Sequence, residues 1–196
     1  MFHSRFNRVL AVAAWLFCVA AAATVIAFSF QRNGDFLLLV AFVAFLTWAG
    51  LWRPFVDVTE TGVTLGNVLS TIEVPWAALI QVDTRYALTL MTPNKNYIAT
   101  AAPAPGRLVS TLSQRDMRGV RSSAAVGGSV RPGDLPTTDS GAAAYLVRER
   151  WEKLIAEERV ELGVAAETPV TRRWHWKTIA IGVALLVGTV ITLAIA

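Results

Sequence analysis

Three uncharged apolar segments decide what this chain can become. Val9 to Phe30 runs for 22 residues, Phe36 to Trp52 for 17 and Thr178 to Ala196 for 19, with no Asp, Glu, Lys or Arg in any of them. At about 1.5 Å of rise per residue the first crosses a hydrocarbon core of roughly 30 Å, and the second stands at the short limit. Each is apolar nearly all round rather than along one stripe, the pattern of a membrane span. Residues 31–35 (QRNGD) contain the turn dipeptide Asn33-Gly34. Five residues hold only a turn, so spans 9–30 and 36–52 are expected to form a tight helical hairpin, with 178–196 as the third span. A cleaved signal peptide is the rival reading of the N-terminus, with Arg5 and Arg8 as its basic start and Ala21-Ala22-Ala23 as its cleavage site. It fits less well, because the apolar stretch is long and a second span follows at once.

Charge sets the orientation. The chain is 54% hydrophobic and 16% charged, yet carries a net +4. With three spans, residues 1–8 and 53–177 share a side, and that side holds 17 of the 18 Lys and Arg; Arg32 alone lies opposite. The short flanks that count in the positive-inside rule are Arg5, Arg8, Arg53, Arg172, Arg173 and Lys177. The expected protein is a multi-pass protein of the inner (plasma) membrane. Its N-terminus (1–8) and middle region are cytoplasmic, and its C-terminus is external. Trp52, Trp174 and Trp176 then fall at the cytoplasmic interface, where indoles prefer to sit. Ala180, Ala184 and Gly188 make a small-residue stripe on the last span. It serves either an oligomer interface or packing on the hairpin of the same chain, and the sequence does not set an oligomeric state.

The middle region has 125 residues, fifteen basic and thirteen acidic. Residues 53–101 read as short antiparallel strands with turns at Thr59-Glu60-Thr61-Gly62, Gly66-Asn67 and Pro93-Asn94-Lys95-Asn96. Val68, Ser70, Ile72 and Val74 alternate onto one face, as do Tyr86, Leu88 and Leu90. Such a meander curls into a barrel or sandwich. Residues 102–141 hold four of the eight prolines and six of the thirteen glycines with no hydrophobic period, and read as a mobile insert. Residues 142–162 read as an amphipathic helix, with Val147, Trp151, Leu154, Ile155 and Leu162 on its apolar stripe. Asp139 or Ser140 is expected to cap its start and Gly163 its end, and Trp151 to plug the open end of the sheet. Residues 163–177 are read as a linker.

No catalytic or metal-binding constellation is present, and no cofactor is expected. His3 and His175 have no acid or cysteine neighbour, Cys18 lies mid-span, and no phosphate-cradling glycine motif occurs. No ionisable residue lies within a span, which argues against a transporter. The near-zero charge of the middle region argues against a nucleic-acid partner.

Arg53-Pro54-Phe55-Val56-Asp57-Val58-Thr59-Glu60-Thr61-Gly62-Val63, Ile72-Glu73-Val74-Pro75-Trp76, Thr84-Arg85-Tyr86 and Ala101-Ala102-Pro103-Ala104-Pro105-Gly106-Arg107 follow a basic N-terminus and a hairpin of spans. In these features the chain resembles the actinobacterial pleckstrin-homology-like (PH-like) membrane proteins of the low molecular weight protein antigen 6 type. The resemblance implies a cytoplasmic, strongly bent β-sheet barrel or sandwich closed by a C-terminal helix. It covers the hairpin and about 53–107, with 142–162 as the closing helix. Such a domain has about seven strands, of which five or six are readable here. Lipid-binding relatives carry basic residues at the first hairpin turn, whereas Thr59-Glu60-Thr61-Gly62 is acidic, so phosphoinositide binding is not carried over. The expected function is non-enzymatic: a membrane-tethered scaffold or adaptor for another membrane or membrane-associated protein. The alternative is a sensor of anionic lipid headgroups using Arg85, Lys95 and Arg107.

Overall fold

Alternation of apolar and polar residues builds the strands, and the structure, a computed structural model, describes residues 1–29, 34–104, 138–161 and 163–195. Arg107, Arg32, Leu162 and most of the 102–141 insert lie outside the described residues. The chain divides into two units. One comprises Met1–Ser4, Phe55–Asn67 and Thr71–Arg172, the other Arg5–Pro54, Val68–Ser70 and Arg173–Ala196.

The strands make two antiparallel sheets. Strands β1 (Phe55–Val58), β2 (Gly62–Gly66), β3 (Ser70–Pro75) and β7 (Thr171–Trp174) form one, in the order β1-β2-β3-β7. Strands β4 (Gln81–Asp83), β5 (Ala87–Met91) and β6 (Asn96–Pro103) form the other. A single 3₁₀ turn at Trp76–Ala78 joins them. The Trp76 indole donates to the Thr59 carbonyl at 3.1 Å, tying this turn to the β1–β2 hairpin. Gly62 stands opposite Pro75 in the ladder, and a Cβ there would overlap the Val74 carbonyl, so the close approach requires glycine.

Helix α3 (Asp139–Ala156) covers the apolar faces. Ala143, Ala144, Val147 and Leu154 are fully buried in one cluster with Val56, Leu65, Val74, Leu88 and Leu90. Several details differ from the sequence reading. Thr138 is the N-cap, its hydroxyl accepting from the Gly141 amide at 3.1 Å, in place of Asp139 or Ser140. Trp151 is only half buried against the cluster, so Val147 and Leu154 fill the centre that it was expected to plug. Tyr86 is 82% exposed, because Thr84–Tyr86 is the turn between β4 and β5 rather than part of one strand. Strand β6 continues through Ala101 and Ala102, both buried, into the segment read as insert. The segment read as linker contains β7, whose Thr171 hydroxyl donates to Glu73 at 3.2 Å.

Helix α3 ends earlier than its stripe suggested. The Glu158 amide bonds to Ile155 O at 3.0 Å and the Arg159 amide to Leu154 O at 2.9 Å. This 6→1, 5→2 pattern makes Glu158, at φ 55°, the left-handed residue that caps the helix, in place of Gly163. A non-glycine residue there costs about 1–2 kcal/mol, and glycine would return about 0.5–1 kcal/mol of that through its freer unfolded chain. Glu158→Gly is therefore expected to stabilise the protein by about 0.5–1 kcal/mol. A thermal melt of the detergent-solubilised chain should rise by a few degrees; an unchanged or lower midpoint would show that this cap is unstrained.

The second unit contains three apolar helices. Helix α1 (Arg5–Thr24) continues into a π-helical turn, Val25–Ser29, and α2 (Phe36–Thr47) into another, Trp48–Trp52. Helix α4 is Trp176–Ile195. Arg5–Phe28 and Trp176–Ile195 are long and apolar enough to cross a membrane, and Phe36–Trp52 is shorter. Asn7, Ala11 and Cys18 are the buried residues of α1, and the Trp15 indole donates to the Ala44 carbonyl of α2 at 3.2 Å. On α4, a Cβ at Gly182 would meet Phe45 at 3.1 Å, and one at Gly188 would meet Leu38 at 2.9 Å. The packed face of α4 thus runs through Gly182, Leu185, Gly188 and Thr189, and Ala180 and Ala184 are exposed. Of the three small residues only Gly188 lies on this face, because steps of four residues drift about 40° each around a 3.6-residue helix.

Candidate functional site

The edge of β1 carries one of the recesses of the first unit. Among the described residues strand β1 has one strand neighbour, β2. On its other side Phe2 forms an antiparallel bridge with Val56, the two amide–carbonyl bonds measuring 2.6 and 3.0 Å. Ser4 donates its hydroxyl to Asp139 in the first turn of α3. Between this segment, β1 and α3 lies a cavity of about 440 Å³. Val56, Val58 and Leu146 form its apolar wall, and Glu149, Arg150 and Lys153 its charged rim. The recess exists because α3 presents Leu146, which is 44% exposed, one position before the buried Val147. Its chemistry suits an extended segment: an apolar wall for a side chain, and charges of both signs at the rim.

The acidic hairpin turn is engaged by arginines. Glu60 pairs with Arg150, and with Arg159 at 3.1 Å. Glu60 is well exposed, so these pairs add little stability, but they attach the β1–β2 turn to the end of α3.

Arg85 and Lys95 are exposed, and the structure does not bring them together. Arg85 lies in the β4–β5 turn, its amide bonded to Asp83 at 3.3 Å. Lys95 lies in the β5–β6 turn, closed by Thr92. The five residues of β5 separate the two turns by about 17 Å. Trp174 and Trp176 are exposed, with their rings 6.1 Å apart. Trp52 is half buried, its ring 5.2 Å from that of Trp15. Among the described residues no group of three or more His, Cys, Asp or Glu could hold a metal.

Sequence reasoning did not find a cluster at one end of the second unit. The guanidinium of Arg8 lies 5.2 Å from the Trp52 ring centre and that of Arg53 lies 5.5 Å from Trp48. Arg53 also donates to the Thr178 hydroxyl at 2.7 Å. Burial lowers the Arg53 pKa, although the group stays charged at neutral pH. His175 donates its amide to Leu69 O at 2.9 Å, and its Nδ1 lies 3.5 Å from Val68 O.

The His175 pKa is lowered from 6.5, first by burial and second by the Arg53 charge, with the Val68 carbonyl opposing. The neutral ring is the favoured form in the fold. Its contribution is complete above about 6.5 and is lost as pH falls through the lowered folded value. Arg53→Gln should raise the His175 pKa part of the way back, with burial still holding it down. A proton NMR titration of the His175 ring in a His3→Gln background reads this directly; an unmoved midpoint would remove Arg53 as a cause.

Residues 53–126 match the family model of bacterial PH domains. The chain is a PH-like domain-containing protein, and domains of this class are typically non-catalytic modules that bind proteins or lipids. The match ends before α3 and β7. Comparison with curated proteins and with solved structures found no match.

Proposed function

We propose that this chain is a three-span membrane protein whose cytoplasmic PH-like unit is a tethered docking module for another membrane or membrane-associated protein. The observation that carries the docking reading is the bridge between Phe2 and Val56 beside the 440 Å³ recess. An extended segment already lies on the β1 edge, which makes strand addition the natural mode for a partner. The apolar helices support the membrane reading, because Phe17, Phe28, Val183 and Val190 expose large apolar surfaces that water would not tolerate. Tethering raises the module's effective concentration for partners in the same membrane. The positive flanks support a cytoplasmic PH-like unit and an external C-terminus. A lipid site built from Arg85 and Lys95 is not favoured, since they stand at opposite ends of β5.

A photo-crosslinker at Leu146, with one at the exposed Ile98 as reference, tests the docking reading in native membranes. Leu146 is expected to capture one membrane partner that Ile98 does not, and Val58→Glu should reduce the yield at least several-fold. Equal capture from both positions, or none from Leu146, would overturn it. A reporter fused after residue 195 should read outside; a cytoplasmic signal would overturn the three-span topology.

A further inference from the structure

We propose that Arg8 and Arg53 form a tryptophan-backed cradle for the phosphate of an anionic phospholipid headgroup. This rests on the reading of α1, α2 and α4 as membrane spans. Trp48 and Trp52 stand four positions apart in one π-helical run, so they lie on nearly the same side of it, about one turn apart. Each has a guanidinium against its ring, at 5.5 Å for Arg53 and 5.2 Å for Arg8. The indole faces fix the guanidinium planes, and fixed planar donors suit a phosphate better than a mobile ammonium does. Arg53 gives one of its five N–H donors to Thr178. The Arg8 Nε is buried and has no hydrogen-bond partner among the described residues. A buried donor of a charged group in that state calls for an acceptor.

Among the described residues neither Arg8 nor Arg53 makes an ion pair. In sequence, residues 5–54, which contain both, have a single acid, Asp35. Asp35 precedes the first residue of α2, at the end remote from Trp48 and Trp52. A phosphate ester anion supplies both the missing acceptor and the missing charge. A lipid fits better than free phosphate because the faces next to Arg8 are apolar and open. Phe6, Val9 and Leu10, its neighbours on α1, are all exposed, a surface that acyl chains would cover and water would not.

The test uses the full chain in mild detergent, with retention of phosphatidylglycerol and phosphatidylcholine of equal acyl length measured by native mass spectrometry. Wild type is expected to prefer phosphatidylglycerol by at least about fivefold, the scale of one basic side chain at a lipid surface. Arg8→Gln with Arg53→Gln should bring the ratio near one. Arg8→Lys with Arg53→Lys keeps the charge and loses the planar fork, and should fall between. A Gln pair that keeps the preference, or a Lys pair equal to wild type, would overturn the cradle in favour of diffuse attraction. Inorganic phosphate at millimolar concentration should not displace the lipid; if it does, the lipid assignment is overturned and the site takes soluble phosphate. Carbonate extraction separates the two levels of failure. A chain released from membranes would overturn the spanning reading and this inference together. A chain that stays in the membrane without lipid preference would overturn this inference alone.

Discussion

Neither sheet of the PH-like unit can stand without α3. Each buries one face, and the three-stranded and four-stranded sheets are too small to shield that face alone. Helix α3 supplies the cover through Ala143, Ala144, Val147 and Leu154. The two alanines matter as much as the larger residues, because a short side chain lets the helix backbone come close to the strands. The polar start of the helix follows the same logic. Ser140 is buried beside Thr138, and the Thr138 cap removes an amide that would otherwise be left unbonded.

The position of α3 then determines the rest of that unit. It places Leu146 and Glu149 along the β1 edge on which Phe2 lies, which creates the recess. It brings Arg150 to Glu60, and through the turn after its end Arg159 as well. It carries Arg148 to the Val82 carbonyl of β4, at 2.9 Å. A second link acts between the sheets. The Asn67 side chain donates to Ile98 O at 2.8 Å and accepts from the Thr100 amide at 2.9 Å, pairing like a short piece of strand. The helical unit solves a different problem, that of polar groups among apolar neighbours. Thr47 and Thr189 return their hydroxyls to carbonyls one turn back, and Trp15 finds Ala44.

Much of the fold was legible where a local pattern carries the information. The lengths of the apolar runs marked the helices of the second unit, because charge is excluded from such runs regardless of what they touch. The alternation in 55–74 marked β1 to β3, and the Val147 to Leu154 spacing marked α3. Failures came where a residue serves a distant partner. Asn67 reads as a turn residue, and its partners on β6 are 31 and 33 positions away. Strand β7 has four exposed residues and no apolar alternation, so only its pairing in the sheet identifies it. The end of α3 was misplaced because Leu162 continued the helical spacing beyond the turn at Glu158.

The candidate sites divide the same way. The sequence by itself determined which segments are apolar enough to leave water, which flanks are positive, and that the first hairpin turn is acidic, since composition along the chain sets these properties. Only the tertiary structure decided that Phe2 lies on β1, that Arg85 and Lys95 stand apart, and that Arg8 and Arg53 meet tryptophans of the same π-helical run. The physical reason is range. Hydropathy and charge sum over neighbours in sequence, whereas a hydrogen-bonded edge or a stacked guanidinium depends on two groups meeting within a few ångströms, and packing alone arranges that.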